Sequence, residues 1–268
     1  MSAVHVAGVS KIFNQGTPKQ VDALVDVELA VEPGDFVSLI GPSGCGKSTL
    51  LRLIANLLEP TTGSVTVNGK SSAQARLDQD YGMAFQQAGL FDWRTVAKNI
   101  ELPLELKGWD KEKRRARALE MLELVKLPEF AELYPWQLSG GMQQRIAIAR
   151  ALAAHPQLLL MDEPFGALDE MTREYMQGEL LRICRETKTT VVFVTHSIPE
   201  AVYLSSRVVV MSPRPGRITK LIDVDLGRDR SEDTRNAEAF FHGITAVREA
   251  LRGTHADHAN EVRGVEDR

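Results

Sequence analysis

The nine residues Gly41-Pro42-Ser43-Gly44-Cys45-Gly46-Lys47-Ser48-Thr49 join two segments of different periodicity. Before them runs the apolar stretch Phe36-Val37-Ser38-Leu39-Ile40, and after them Leu50, Leu51, Leu53, Ile54, Leu57 and Leu58 repeat as one helical face. Strand, glycine loop and helix in that order are the context in which G-x-x-x-x-G-K-[S/T] forms a phosphate-binding loop. Its glycines let backbone N–H groups converge on an anion, and the helix start adds unpaired donors and the positive end of its dipole. Lys47 is then placed for the β- and γ-phosphates of a nucleotide, and the Ser48 hydroxyl for Mg²⁺. A chance match to a loose pattern is the bland alternative, and the flanking strand and helix weigh against it.

Working outward, the alternate positions Val21, Ala23, Val25, Val27, Leu29 and Val31 predict a half-buried strand. With Val4 to Val9 before it and Ser64 to Gly69 after it, this predicts an antiparallel sheet flanking the loop strand. Phe13 falls in a loop of that region, where a core or hairpin role is as good a reading as any other. From Asp80 to Pro156 the texture changes. The strand Tyr81 to Phe85 leads to Gln86 and Gln87, then Trp93-Arg94-Thr95-Val96 and a charged helix from about Lys111 to Lys126. Leu119, Leu122 and Val125 predict its buried stripe, and Lys111 to Arg117 a solvated face. Residues of about 88–156 are read as a mostly helical subdomain inserted into the core.

Near the end of that insertion, Ser139 is a good N-cap and Gly140-Gly141 permit close approach, ahead of a helix expected over Ile146 to Ala154. This is a second anion-suited helix start without a lysine, or a plain cap. Leu158-Leu159-Leu160-Met161 is a buried strand ending in Asp162-Glu163, and ligands bind beyond the carboxyl ends of such strands. Asp162 can hold Mg²⁺ and Glu163 can polarise a water; alternatively the pair only ends a strand and caps a helix. Thr190 to Val194 delivers His196 to the same kind of edge, as a structural histidine or as a contact to a γ-phosphate. Arg207 to Met211 is another strand, followed by the turn-rich Ser212-Pro213-Arg214-Pro215-Gly216-Arg217. A last helix carries Phe240, Ile244, Val247 and Leu251 on one face, before a polar tail over 253–268 expected to fray.

At 268 residues, 43% hydrophobic and 25% charged, the chain suits one large domain with a subdomain. The net charge of −4 gives no support to nucleic-acid binding. No secretory signal is expected from Met1-Ser2-Ala3-Val4-His5, and the apolar runs fall far short of the ~18 residues that span a bilayer. Cys45 and Cys184 are no disulfide framework and are expected as reduced thiols. Cys45, at a helix start, is either favoured as a thiolate or a tolerated small residue of the loop.

Taken together these motifs resemble the ATPase subunit of ATP-binding cassette (ABC) transporters, over the chain to about residue 252. The resemblance implies an α/β P-loop NTPase core with an antiparallel β subdomain and an inserted helical one. It implies ATP and Mg²⁺ as ligands: Gly41 to Thr49 on the phosphates, Phe13 on the adenine, and Ser48, Gln86 and Asp162 at the metal. Glu163 matches the general base, and His196 and Gln86 the residues that sense the γ-phosphate and the attacking water. Ser139, Gly140, Gly141 and Asp169 match residues that act across a head-to-tail dimer, on the nucleotide held by a second copy. Phe13 in place of the commoner Tyr, and Met142 with Gln143 in place of the shorter Gly-Gly-Gln form, are mild departures. Trp93 to Val96 and Met211 to Ile218 look like the nitrate/sulfonate/taurine group of bacterial importers. That implies permease subunits, a periplasmic or lipid-anchored solute-binding protein, and a peripheral place on the cytoplasmic face of the membrane. An exporter or lipid-transport ATPase, a soluble cassette ATPase without transport, and a non-hydrolysing regulatory module are the alternatives; the cargo is bound by other subunits.

Overall fold

The computed structural model describes residues 2–227 and 230–266. From the N-terminus the elements are β1 (Val4–Phe13), β2 (Val21–Val31), β3 (Phe36–Ile40), α1 (Lys47–Ile54), β4 (Thr62–Val67), β5 (Lys70–Ser71), α2 (Ser72–Leu77) and β6 (Tyr81–Ala84). Then follow α3 (Val96–Leu106), α4 (Lys111–Leu124), α5 (Gly140–Leu152), β7 (Leu158–Asp162), α6 (Glu170–Thr187), β8 (Thr190–Val194), α7 (Ile198–Leu204), β9 (Arg207–Met211), β10 (Ile218–Asp223) and α8 (Glu238–Glu266). The chain forms two compact units, one made of the chain up to Asp78 and from Thr190 onward, the other of Gln79–Thr189.

In the first unit β2, β1, β4 and β5 form an antiparallel sheet in that order. The alternation along β2 turns Val27, Leu29 and Val31 inward and Asp26, Glu28 and Ala30 outward. A second set pairs in the order β10, β9, β3, β8: β3 lies parallel to both β8 and β9, and β10 runs antiparallel to β9. Every residue of β3 and of β8 is buried, as expected for parallel strands covered on both faces. In the second unit β6 pairs parallel with β7, which is buried throughout, and helices α3 to α6 complete it.

Several expectations need correction. Helix α1 stops at Ile54 because Asn56 turns left-handed at φ 49°, so Leu57 and Leu58 leave the helix and Leu57 is exposed. Phe13 closes β1, paired with Val21, and is not in a loop. On α4 the buried stripe is Ala118, Met121 and Leu122 with Val125 just beyond, while Leu119 faces solvent. Arg117 leaves the solvated face, buried with its Nε donating to the Ala153 carbonyl at 3.0 Å and Nη1 paired with Glu120. Helix α5 starts at Gly140, six residues before the expected Ile146. Apart from these corrections, α8 runs as far as Glu266, and residues 267 and 268 of the expected tail lie outside the described residues.

Candidate functional site

In the first unit, residues 41–46 lead from β3 to α1, and Gly46 is the N-cap at φ 103° with no side-chain cap. That conformation suits glycine, and a Cβ there would lie 2.6 Å from Leu24 Cδ2. The helix therefore begins with backbone donors that no side chain of its own claims. Lys47 is only 7% exposed, and its Nζ donates to the carbonyls of Gly41 (2.8 Å) and Pro42 (2.9 Å), which holds the ammonium inside the curve of the loop. Ser48 and Thr49 follow on α1, half-buried. Pro42 is half-buried, and Ser43 and Gly44 are exposed. The arrangement suits the phosphates of a nucleotide: convergent N–H groups, a helix start and one confined cation.

Cys45 is buried in that loop. Burial pushes its thiol up more strongly than nearby Lys47 draws it down, so it is a neutral packed thiol and the thiolate reading is corrected. The β3–β8 register pairs Leu39 with Val194, which brings Gly41 and His196 to one edge of the sheet, each two residues past that pair. The Thr195 N–H donates to Leu39 O at 3.3 Å, and His196 is exposed beside it. Thr195, 1% exposed, donates its hydroxyl to the Glu200 carboxylate and accepts the Ser197 N–H at 3.0 Å. Phe13 stands half-buried at the end of the antiparallel sheet, with the Lys11 ammonium 5.2 Å from its ring centre.

In the second unit the pairing of Ala84 with Met161 places Gln86 and Glu163 at one end of the parallel pair, each two residues beyond it. Asp162 is 3% exposed at the tip of β7, and Glu163 turns the chain at φ 47°. Gln86 is exposed within a backbone held from both sides: Gln144 donates to Phe85 O at 2.9 Å, and Arg150 to Ala88 O and Gly89 O, both at 2.9 Å. Ser139 caps α5, its Oγ accepting the Met142 N–H at 3.3 Å. Gly140 is open, while a Cβ on Gly141 would sit 3.3 Å from Ala167 O, so the start of α5 touches the segment ending in Asp169. Asp169 caps α6 by accepting the Thr172 N–H at 3.0 Å, the main reason its carboxyl lies below the usual range; the Arg145 cation adds to it.

Three groups are thus assembled inside the units: the loop 41–49 with His196; Gln86 with Asp162 and Glu163; and Ser139 to Gly141 with Asp169. The Thr195–Glu200 pair and the grips of Gln144 and Arg150 on the Gln86 segment were missed by sequence reading. A threonine directly before His196 was the only local sign of the first; the others depend on partners 59 to 62 residues away.

The sequence profile of the ABC transporter family matches residues 24–166. An uncharacterised ABC transporter ATP-binding protein of Methanocaldococcus jannaschii is 51% identical over 85% of this chain and 84% of its own length. The taurine import ATP-binding protein of Rhizobium johnstonii is 48% identical over 93% and 95%, and an aliphatic sulfonates import ATP-binding protein of Bacillus subtilis 45% over 89% and 91%. Among solved structures, the dimeric post-hydrolysis state of an ATP-binding cassette bound to ADP and Pi is 38% identical, with a TM-score of 0.76, over 82% of this chain and 98% of that one.

Proposed function

The chain belongs to the ABC transporter family, and from that premise we propose that it is the ATP-hydrolysing subunit of a bacterial importer of the nitrate/sulfonate/taurine type. Likeness to taurine and sulfonate import proteins along nearly the whole chain is the observation that carries this reading. The uncapped start of α1 behind Gly46 and the enclosed Lys47 support ATP as the substrate.

Lys47 and the loop amides hold the phosphates, and Phe13 stacks on the adenine. Ser48 and Asp162, with Gln86, are the residues that would hold Mg²⁺, which would supply neutralisation of phosphate charge during the transfer. Glu163 accepts a proton from the attacking water, which Gln86 and His196 orient around the γ-phosphate. Ser139, Gly140, Gly141 and Asp169 serve the nucleotide of a second copy, so ATP joins the two chains and its cleavage releases them. No helix among the described residues is long and apolar enough to cross a membrane. In the importer reading this chain lies peripherally on the cytoplasmic face, integral membrane permease subunits receive the motion, and a solute-binding protein supplies the cargo.

Glu163→Gln tests this directly. It retains ATP affinity, accumulates an ATP-bound dimer on size exclusion with light scattering, and reduces turnover by at least ~10²-fold, the size of a general-base contribution. Wild-type turnover in that variant removes Glu163 from the role.

A further inference from the structure

The segment Ser212-Pro213-Arg214-Pro215-Gly216-Arg217 has no part in the chemistry above, yet it is built against the phosphate loop. Ser212 closes it: its N–H donates to Arg217 O at 2.9 Å, and its Oγ accepts the Arg217 N–H at 2.9 Å while donating toward Pro213 O and Pro215 O. Gly216 fastens it to β2 through a donor to Ala23 O and an acceptor from the Val25 N–H, both at 3.0 Å. So close is the approach that a Cβ on Gly216 would fall 2.0 Å from Cys45 O. From the tip of the turn Arg214 donates Nη2 and Nε to one acceptor, Gly44 O, at 3.1 and 3.3 Å.

Two consecutive loop carbonyls, Gly44 O and Cys45 O, therefore face this turn. In a planar trans peptide the N–H points opposite to its carbonyl, so the amides of Cys45 and Gly46 are directed away from the turn. The Cys45 N–H accordingly reaches across the loop toward Pro42 O at 3.3 Å, the carbonyl that also receives the Lys47 ammonium. That is the side on which the Lys47 ammonium sits, and a phosphate taken up there would replace Pro42 O as the acceptor of the Cys45 N–H. A guanidinium on the carbonyl also polarises the same peptide, which strengthens its N–H as a donor.

We propose that Arg214 is a positioning residue of the nucleotide site: with the turn that carries it, it holds the Gly44–Cys45 peptide so that its amide faces the diphosphate. This rests on reading the loop as an ATP site and adds a residue outside that loop, brought from 170 positions away.

The test is titration of wild type, Arg214→Ala and Arg214→Lys with a fluorescent ADP analogue, with KM and kcat for ATP and nucleotide-free melting measured beside it. Arg214→Ala is expected to weaken ADP binding and raise KM by about tenfold, the loss expected for a charge-assisted hydrogen bond, with kcat within about twofold. Arg214→Lys, which can still place one charged donor, recovers part of the loss, and nucleotide-free melting stays at the wild-type temperature. Unchanged affinity in Arg214→Ala overturns the proposal. So does a loss of affinity that comes with lower nucleotide-free melting and no rescue by lysine, since the residue would then serve only the fold. A wild-type chain that binds no nucleotide overturns the reading of the loop itself, and with it the proposal.

Discussion

Glycine at position 163 should give a more stable protein than alanine there, while both variants are expected to lose turnover of ATP under the proposed role of Glu163. Glu163 follows the last residue of β7 at φ 47°, where its carbonyl accepts the Gly166 N–H at 3.2 Å and the chain turns sharply. For a residue with a Cβ, the left-handed region costs about 1–2 kcal/mol. Alanine keeps that cost; glycine removes it but gives up about 0.5–1 kcal/mol more backbone entropy on folding. The mid-range balance is about 0.75 kcal/mol in favour of glycine. With an unfolding entropy of about 2.1 cal/mol/K per residue over 268 residues, that is a melting difference of about 1–2 °C. Scanning calorimetry of Glu163→Gly and Glu163→Ala, both nucleotide-free and in EDTA, measures it, and because both variants lack the carboxylate the comparison isolates the backbone. Alanine melting at or above glycine would refute the reasoning and show that this turn stores no strain. A positive result would mean that the position keeps a glutamate at a standing cost in stability, as expected where the side chain is needed for chemistry.

Two further outcomes follow from buried groups. Thr195→Val leaves the Glu200 carboxylate and the Ser197 N–H one partner short, which costs about 1–3 kcal/mol, and beside His196 it should lower kcat more than it raises KM for ATP; unaltered melting and turnover would show that this pair is idle. Burial pushes the Cys184 thiol up to about 12. The folded value lies above the unfolded one, so the unfolded chain ionises first and stability falls as pH rises from about 9 toward 12. Cys184→Ala should flatten that slope in urea midpoints measured from pH 7 to 10.5, and an equal slope in the variant would assign the loss to other groups.

Elements buried on both sides were legible in the sequence. Strands β3, β7 and β8 are mostly apolar because burial on both faces admits only polar groups that find a partner, as Ser38 does in Ser205, and a loop of fixed spacing at the end of β3 announces its own chemistry. What escaped is partly solvated or depends on distant partners. In strand β10 Thr219, Lys220 and Leu221 are exposed in succession, on both faces, with no period to read, and the strand exists because β9 offers it a ladder. Leu119 looked like core and Arg117 like surface because hydrophobicity was read without the neighbours: small Ala118 fits the interface, and Arg117 finds the Ala153 carbonyl. The catalytic candidates could be named from the phosphate loop, the strand ends and the family resemblance together, whereas the residues that hold them, Arg214, Glu200, Gln144 and Arg150, bear no local mark of that duty.

The two grips of α5 on the segment around Gln86 have a mechanical consequence. Gln144 and Arg150 are six residues apart on α5, about 9 Å along its axis at 1.5 Å per residue. One such pin would leave the helix free to swivel; two make helix and segment a single rigid link. If each pin yields by about 0.5 Å in opposite senses, the tilt over that span is only about 6°, and Ser139, about 7.5 Å beyond Gln144, moves by about 1.3 Å. A displacement imposed at Phe85 therefore arrives at the Ser139 end of the helix nearly whole, carried as by a crank and not dissipated through a flexible joint.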